Sequence, residues 1–408
     1  SAPAGRPYRA LTTADAGHPL ALRLLTEVRT SLVAAGEDAR GMGTPHRHEI
    51  FGGYLDLLCL RVAQRLAPGE RGADVRRSAA RVAGRAHEAA RRCLGPGRGE
   101  LDRASFDELF PWRTGWASAV LAEGLLVPAG AGYRFPHEEF ADWLQGTHLD
   151  VDETLEALVQ GPAGGRAAGQ PPVATLAPPA VPRHRIGPVV QALLLLGRRA
   201  GPEALTRRLE GLVAVVTAPA AKSGERTRPS GGGADASARD ARWWAEHLLG
   251  EVLLRLPDAA PYARVLHLLA ARVTDRSALA GGFERTGLDA FGPWFWRRLP
   301  LDPATRLDLV RRLLPADGPP AEGATAVNEG AAAVSEGAAA YEGGPAPVER
   351  TEDAGRAVAP GPRFLGLAAA LLCADPRRVQ PLLCRWFDDE RPLQRGRSAA
   401  RPGADAGP

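Results

Sequence analysis

Lysine is almost absent from this chain of 408 residues: Lys222 is the only one among 51 lysine and arginine residues. A P-loop needs Gly-x-x-x-x-Gly-Lys-[Ser/Thr], because the lysine reaches the β- and γ-phosphates and the glycines let backbone N–H groups close on them. Ser223 follows Lys222, but Val216 and Ala221 stand where the two glycines are required. The sequence therefore excludes a self-sufficient P-loop NTPase.

Cysteine and long apolar runs are scarce as well. The four cysteines form no Cys-x-x-Cys pair, so we predict reduced, buried thiols in a cytoplasmic protein. They are Cys59, Cys93, Cys373 and Cys384. No run of about 18 uninterrupted apolar residues occurs, and no signal-peptide pattern is visible, so we expect no membrane span. The chain opens with Ser1 and its only methionine is Met42, so we expect Ser1 to be a cleavage point or the edge of a fragment.

The sequence also lacks a large excess of positive or negative charge. The formal net charge is only +4, which argues against a basic face made for nucleic acid. What the sequence does have is an apolar share of 45%, enough for real cores, together with 47 glycines and 36 prolines that predict long linkers. A length of 408 residues predicts two or three domains.

Apolar residues at helical spacing predict a mainly α fold, in which a helical bundle precedes a winged helix and an irregular α-helical array. Gly/Pro/Ala-rich segments predict disordered insertions. The predicted order is a small helical domain (1–97), a winged helix (98–150), a linker (151–182), a helical array (183–314) with a disordered insertion near 218–238, a low-complexity linker (315–362), a helical pair (363–390) and a disordered tail (391–408).

The winged-helix prediction rests on the order of elements. Asp102 is a suitable cap for a short helix over Arg103–Leu109, and a second helix follows over Gly115–Glu123. Leu125–Val127 and Tyr133–Phe135 then form a predicted β-hairpin, directly before a helix that starts at His137.

Two segments carry a resemblance to a known family. Gly17-His18-Pro19-Leu20 resembles the Gly-x-Pro-Leu stretch of STAND-class ATPases, the NACHT and NB-ARC relatives. In that family the proline starts a helix and packs against the adenine end of the bound nucleotide, which this resemblance implies for Pro19. A proline at a helix start fixes φ and has no N–H to leave unpaired. The alternative is an ordinary core helix that begins with proline.

The second segment, Tyr133–Leu144, resembles the Phe-x-His-x-x-Phe-x-x-[Tyr/Trp]-Leu stretch that closes the winged helix of the same family. The match implies that His137 contacts nucleotide phosphates in the closed, ADP-bound state, and that Phe135, Phe140 and Leu144 are core positions. Trp143 replaces the commoner tyrosine. The alternative is a partly buried histidine that caps its own helix.

Taken together, the resemblance covers about residues 10–150 and implies the regulatory part of a STAND-type switch, closing on nucleotide within a larger protein. It implies ATP or ADP with Mg²⁺ in the full-length protein and none bound by this chain alone. It also implies a trigger or protein partner sensed by the helical array and a nucleotide-driven homo-oligomer. The P-loop and the acidic Mg²⁺-binding strand of that family are missing from this sequence.

Other hypotheses remain open at this point. A helical scaffold or adaptor would bind a protein partner without nucleotide, and the aromatic cluster around Trp294 is either its surface or a packing anchor. A DNA-binding winged helix is weakly supported, because the predicted reading helix begins at Arg113 and the wing tip, Ala129–Gly132, carries no cation. His46-x-His48 lacks further ligands at metal spacing, so we expect no metal site.

Overall fold

The computed structural model describes residues 18–36, 43–94, 99–159, 183–218, 232–280, 288–318 and 363–388. These residues are mainly helical and include a single two-stranded sheet, which confirms the predicted mainly α fold. They form two compact units. The first runs to Leu268 and includes Arg298–Leu301, and the second holds Leu269–Arg297 and the described residues from Asp302 onward.

The first unit begins with three helices that match the predicted small helical domain. They are α1 (Pro19–Ala34), α2 (Arg47–Leu66) and α3 (Ala73–Arg92). Pro19 is the first residue of α1, where its fixed φ suits the helix. The helix ends before Gly36, whose φ of 77° places it in the left-handed region that favours glycine. Gly17 lies outside the described residues.

Alanine-rich packing joins α3 to α2. Val82, Ala86, Ala89 and Ala90 are fully buried along one face of α3, and α2 packs against both α1 and α3. Short side chains at these positions let the two helix backbones approach closely.

A hairpin module follows, in the predicted order of elements. It comprises α4 (Arg103–Leu109), α5 (Trp116–Ala122), β1 (Val127–Ala129), β2 (Gly132–Arg134) and α6 (Glu138–Gly146). As predicted, Asp102 caps α4: its carboxylate accepts a hydrogen bond from the Ser105 N–H at 2.8 Å. β1 and β2 are antiparallel, with Val127 opposite Arg134.

The first strand of the hairpin begins two residues later than predicted. Leu125 and Leu126 are fully buried and directly follow Gly124, whose φ of 70° ends the turn after α5. These leucines pack into the core instead of pairing with the second strand. Leu101 takes part in the sheet instead, because it forms an isolated antiparallel bridge with Tyr133. Local alternation could not separate a core leucine from a strand leucine.

One hydrophobic core joins the hairpin module to α1–α3. The Phe140 ring of α6 lies edge-on to Phe51 and Tyr54 of α2, with ring centroids 6.0 Å and 5.4 Å apart. Phe135 and Leu144 are also buried, so the three predicted core positions are confirmed. Burial of each such side chain contributes about 1.5–3 kcal/mol relative to leaving it in water.

The remaining helices of the first unit form the helical array. They are α7 (Val151–Val159), α8 (Ile186–Arg199), α9 (Pro202–Thr217) and α10 (Gly232–Arg255), followed by α11 (Ala263–Ala280), within which the second unit begins. α8 packs against α6, and α10 packs against α7, α8 and α9. Arg185, directly before α8, is buried and donates from both terminal nitrogens to the carbonyl oxygen of Cys93, each at 3.1 Å. That carbonyl ends α3, so Arg185 ties the array to the helical domain.

Two boundaries of the array differ from prediction. The predicted linker 151–182 begins with α7, because Asp150 accepts a hydrogen bond from the Glu153 N–H at 3.0 Å and caps it. The predicted disordered insertion 218–238 overlaps α10, which starts at Gly232; alanine at positions 234, 236 and 238 favours a helix there. Residues 160–182 and 219–231 lie outside the described residues.

The second unit contains α12 (Pro293–Arg298, of which Arg298 belongs to the first unit), α13 (Pro303–Leu313), α14 (Arg363–Ala374) and α15 (Pro376–Asp388). α14 and α15 confirm the helices predicted for the C-terminal pair, and both pack on α13. The predicted linker 315–362 starts within a 3₁₀ turn, Leu314–Asp317, and the Asp317 carboxylate accepts hydrogen bonds from the Phe364 and Leu365 N–H groups. The rest of that linker and residues 389–408 lie outside the described residues.

The aromatic cluster of the second unit is a packing anchor rather than an open surface. Phe291, Phe295 and Trp296 are fully buried, and the Trp296 indole donates to the Phe291 carbonyl at 2.9 Å. Trp294 alone is exposed, by 49%. None of the described helices combines the length and the apolar character that a membrane crossing needs.

Candidate functional site

The candidate site lies where α1, α2 and α6 begin. Each of these helices has a histidine at its N-cap: His18 before α1, His46 before α2 and His137 before α6. The N-terminus of a helix presents unpaired backbone N–H groups and a partial positive charge. The two segments that carry the family resemblance therefore supply two of these three helix starts.

Glu139 joins the three helix starts. Its Oε2 atom lies 2.9 Å from Nε2 of His18, and its Oε1 atom accepts a hydrogen bond from Arg47 at 2.5 Å. His18 precedes Pro19, and Glu139 lies two residues after His137. The structure thus brings the predicted site residues into one region through their immediate neighbours.

His137 is half-buried beside α1 and α2. Its ring centroid lies 6.3 Å from that of Tyr54, and its side chain forms no capping hydrogen bond with its own helix. The predicted alternative, a histidine that caps its own helix, is therefore wrong in its geometry. Burial lowers the pKa of His137, nearby Arg23 lowers it further, and Glu27 opposes the shift. A neutral imidazole at this position can donate one hydrogen bond and accept another.

Pro19 is exposed at the start of α1, so one face of its ring is open to solvent. The residue next to it is held firmly, because Nδ1 of His18 accepts a hydrogen bond from the Ala21 N–H at 3.2 Å. This arrangement gives the region an apolar ring at one helix start and a neutral histidine at another. Such a pair can contact the flat and the polar parts of one ligand.

The side of α1 that faces α2 carries compensated charge. Glu27 accepts a hydrogen bond from Arg61 at 2.6 Å, and the other terminal nitrogen of Arg61 donates to Ser31 at 2.9 Å. Burial raises the pKa of the Tyr54 hydroxyl, and Glu27 adds to that shift, so Tyr54 stays protonated and neutral.

Sequence reasoning missed the residues that assemble the region. His18, Arg47 and Glu139 were not among the predicted site residues, although each lies at or next to a helix start in the sequence. The position of a residue at a helix N-terminus is a usable signal, because it predicts a side chain near unpaired N–H groups. It does not predict which helix starts meet.

The two alternative sites are not assembled as functional centres. The rings of His46 and His48 lie side by side with centroids 5.9 Å apart. Among the described residues, no group of three His, Cys, Asp or Glu side chains could hold a metal ion. The sequence of α5, Trp116–Ala122, contains no cationic residue that could read a base or contact a phosphate.

The predicted buried thiols are present only in the first unit. Cys59 and Cys93 are buried, and burial raises their thiol pKa to about 12 and about 11. Cys373 and Cys384 are exposed in the second unit, contrary to expectation. The buried pair is inert at neutral pH because the thiolate is the reactive form.

No protein-family model, curated protein or solved structure matches this chain.

Proposed function

We propose that this chain supplies the lid, winged-helix and sensor part of a STAND-type nucleotide switch. The observation that carries the proposal is the meeting of the helix starts at Pro19 and His137 through the His18–Glu139 contact of 2.9 Å. These are the two positions at which the family resemblance implies nucleotide contacts. Their convergence was not required by either motif alone.

The chemistry of the two residues suits different parts of a nucleotide. Pro19 offers an exposed apolar ring to a base, and His137 offers a neutral N–H to a phosphate oxygen. The nucleotide, with Mg²⁺, would be held mainly by a P-loop core in the full-length protein. The contacts from this chain would favour the closed arrangement with ADP, and exchange for ATP would release it.

The helical array would then sense a trigger or protein partner, and the open form would assemble into a homo-oligomer in the cytoplasm. These parts of the proposal rest on the family resemblance. A DNA-binding role fits less well, because α5 and the hairpin tip carry no cation.

The first test is to read the genomic DNA upstream of the Ser1 codon. An in-frame extension that encodes a strand-like apolar run followed by Gly-x-x-x-x-Gly-Lys-[Ser/Thr] supports the proposal. A stop codon followed by a start signal close to Ser1 would overturn it, and a helical adaptor would become the leading hypothesis.

The second test measures ADP retention in that full-length protein. We expect His137→Ala to raise the ADP dissociation rate by about tenfold, the effect of losing one hydrogen bond to a charged group. His184→Ala is the matched control, because His184 is an exposed histidine of the same unit and lies outside α1, α2 and α6. Equal dissociation rates in the two variants would remove His137 from the nucleotide site.

A further inference from the structure

Three hydrogen-bonding side chains meet in the first unit where α1, α2 and the start of α6 pack together. They are Arg23 of α1, Tyr54 of α2 and His137, the N-cap of α6. The ring centroids of Tyr54 and His137 lie 6.3 Å apart. Arg23 follows Pro19 by one helical turn, and its charge lowers the pKa of both the Tyr54 hydroxyl and the His137 ring. Arg23 therefore lies close to both rings.

The polar groups of these three side chains have no partner among the described residues. Tyr54 is only 5% exposed, yet its hydroxyl forms no hydrogen bond with a described residue. The half-buried His137 ring forms none either, and the exposed Arg23 side chain forms no hydrogen bond or ion pair in the described part of the chain. Buried polar groups are normally paired, so these side chains have hydrogen-bonding capacity left for a ligand.

The charge at the His137 ring is set mainly by Arg23. Glu27 is the carboxylate that raises the pKa of His137, but Arg23 lowers it by more. Glu27 is also engaged elsewhere, because its carboxylate pairs with Arg61 at 2.6 Å. An unpaired cation with the larger effect at this ring favours an acceptor, and in particular an anionic one.

The two carboxylates in the first turn of α6 do not contribute to the pKa shift of His137. Glu139 is held by its contacts with His18 and Arg47, and Glu138 is exposed. Neither carboxylate occupies the donors of the three side chains.

We propose that Arg23, Tyr54 and His137 together bind a phosphate group. A guanidinium, a phenol and a neutral imidazole can each donate a hydrogen bond, and donors from three helices suit a tetrahedral group better than a planar carboxylate. The family resemblance implies this contact for His137 alone, whereas Arg23 and Tyr54 follow from the structure. The inference rests on the proposed function in taking a nucleotide as the source of the phosphate group.

The first experiment is calorimetric titration of the chain with inorganic phosphate at constant ionic strength, with a parallel titration of acetate. We expect saturable phosphate binding that is tighter than acetate binding. Arg23→Gln should raise the Kd for phosphate by about tenfold, the effect of one lost charge-assisted hydrogen bond. Arg76→Gln is the matched control, because Arg76 is also exposed on a helix, α3, and lies outside α1, α2 and α6.

Tyr54→Phe provides a second variant, which keeps the buried ring and removes the hydroxyl. We expect it to weaken phosphate binding, and we expect no change from Tyr262→Phe, which alters a buried tyrosine directly before α11. The absence of saturable binding, or equal binding by Arg23→Gln and Arg76→Gln, would overturn the proposal. Acetate binding as tight as phosphate binding would overturn the assignment to phosphate.

The His137 ring reports on the same contact in the free chain. Proton NMR measures its pKa, and His137→Gln assigns the signal. Arg23→Gln should raise the pKa of His137, because Arg23 lowers it. Saturating phosphate should also raise this pKa in the wild type, because a nearby anion favours the imidazolium. An unchanged pKa in Arg23→Gln would contradict the placement of Arg23 beside His137.

The source of the phosphate group is tested separately, by ADP release from the full-length protein. Faster ADP release from Arg23→Gln supports a nucleotide source. Phosphate binding by the chain together with unchanged ADP release would overturn the nucleotide source and leave a site for free phosphate. Failure of phosphate binding would overturn this inference alone, because the upstream DNA tests the proposed function independently.

Discussion

One imidazole ring links two helix starts: Nε2 of His18 lies 2.9 Å from Oε2 of Glu139, while Nδ1 accepts the Ala21 N–H. Because Nδ1 is the acceptor, the neutral tautomer carries its proton on Nε2 and donates it to Glu139. His18 therefore caps α1 and positions α1 against α6 at the same time. Pro19 and His137 are placed by this contact.

Replacement of Glu139 by glutamine should loosen this junction. The amide has nearly the same size but lacks the negative charge that His18 and Arg47 contact. We expect Glu139→Gln to lower the free energy of unfolding by about 1–2 kcal/mol, measured by urea denaturation. The partly buried position makes this pair stronger than an exposed one.

Glu138→Gln is the matched control for that change, because Glu138 is exposed in the same first turn of α6. It removes the same charge from the same helix start and should cost only a few tenths of a kcal/mol. An equal loss from both substitutions would show that helix-terminal charge, and not the His18 contact, explains the effect.

A pair of histidines predicts a loss of stability in mild acid. Nδ1 of His87 lies 3.0 Å from Nε2 of His148, and burial lowers the pKa of both rings. Asp56 opposes the shift at His87; at His148, His87 and Arg91 lower the pKa further, and Glu88 opposes them. In the folded protein both histidines therefore have pKa values below the unfolded value of about 6.5. The two neutral rings contribute their full stability above about pH 6.5, and this stability is lost as the pH falls through the folded pKa values.

The measurement is the melting temperature of the full chain between pH 5 and pH 8. We expect wild type to lose more stability on acidification than His148→Gln, which cannot form two adjacent cations. His247→Gln serves as the control, because His247 lies on α10 away from this pair. Identical pH profiles for wild type and His148→Gln would contradict the role assigned to the pair.

Asp142 should make the fold less stable as the pH rises, which is the opposite direction to the effect of the histidine pair. Burial, reinforced by Glu138, raises its pKa to about 7, against the opposing effect of Arg185 and Arg255. The pKa of Asp142 in the folded protein thus lies above its unfolded value of about 3.9. Asp142 contributes its full stability below about pH 3.9, and this stability is lost as the pH rises through about 7. Asp142→Asn should therefore gain stability relative to wild type between pH 5 and pH 8, on the order of 1–2 kcal/mol. Urea denaturation at both pH values would measure this; an unchanged difference would contradict the raised pKa.

A side chain at Gly146 should cause a steric clash where α6 packs against α8. A Cβ atom there would lie 2.8 Å from the Pro188 carbonyl oxygen and 2.9 Å from the Ala192 nitrogen. Both are backbone atoms, so the helices would have to separate. We expect Gly146→Ala to cost about 1–3 kcal/mol in urea denaturation.

Gly84 supplies the control for that substitution. It lies inside α3, is exposed, and a Cβ atom there would meet nothing within 4 Å. Gly84→Ala should therefore stabilise the chain by up to about 1 kcal/mol through helix propensity. A loss of stability from Gly84→Ala, or none from Gly146→Ala, would contradict the packing described for α6 and α8.

Much of the fold could be predicted from local signals, and the misses have local causes. The bounds of α2, Arg47–Leu66, follow from such signals, because Pro45 precedes the helix and Pro68-Gly69 follows it. α7 was assigned to a linker because its nine residues directly precede a Gly/Pro-rich stretch. In the candidate site, the family resemblance predicted Pro19 and His137. It did not predict the residues that position them, which only the structure identified.

The sequence by itself determined where helices start and end, because proline, glycine and capping side chains act on their own neighbours within about four residues. Tertiary structure alone decided which helix starts meet. The contacts of His18 with Glu139, of His87 with His148 and of Arg185 with Cys93 join residues far apart in the chain. They form because the buried faces of α1, α2, α3 and α6 pack into one core, and each polar group at its edge then pairs with whatever that packing places beside it.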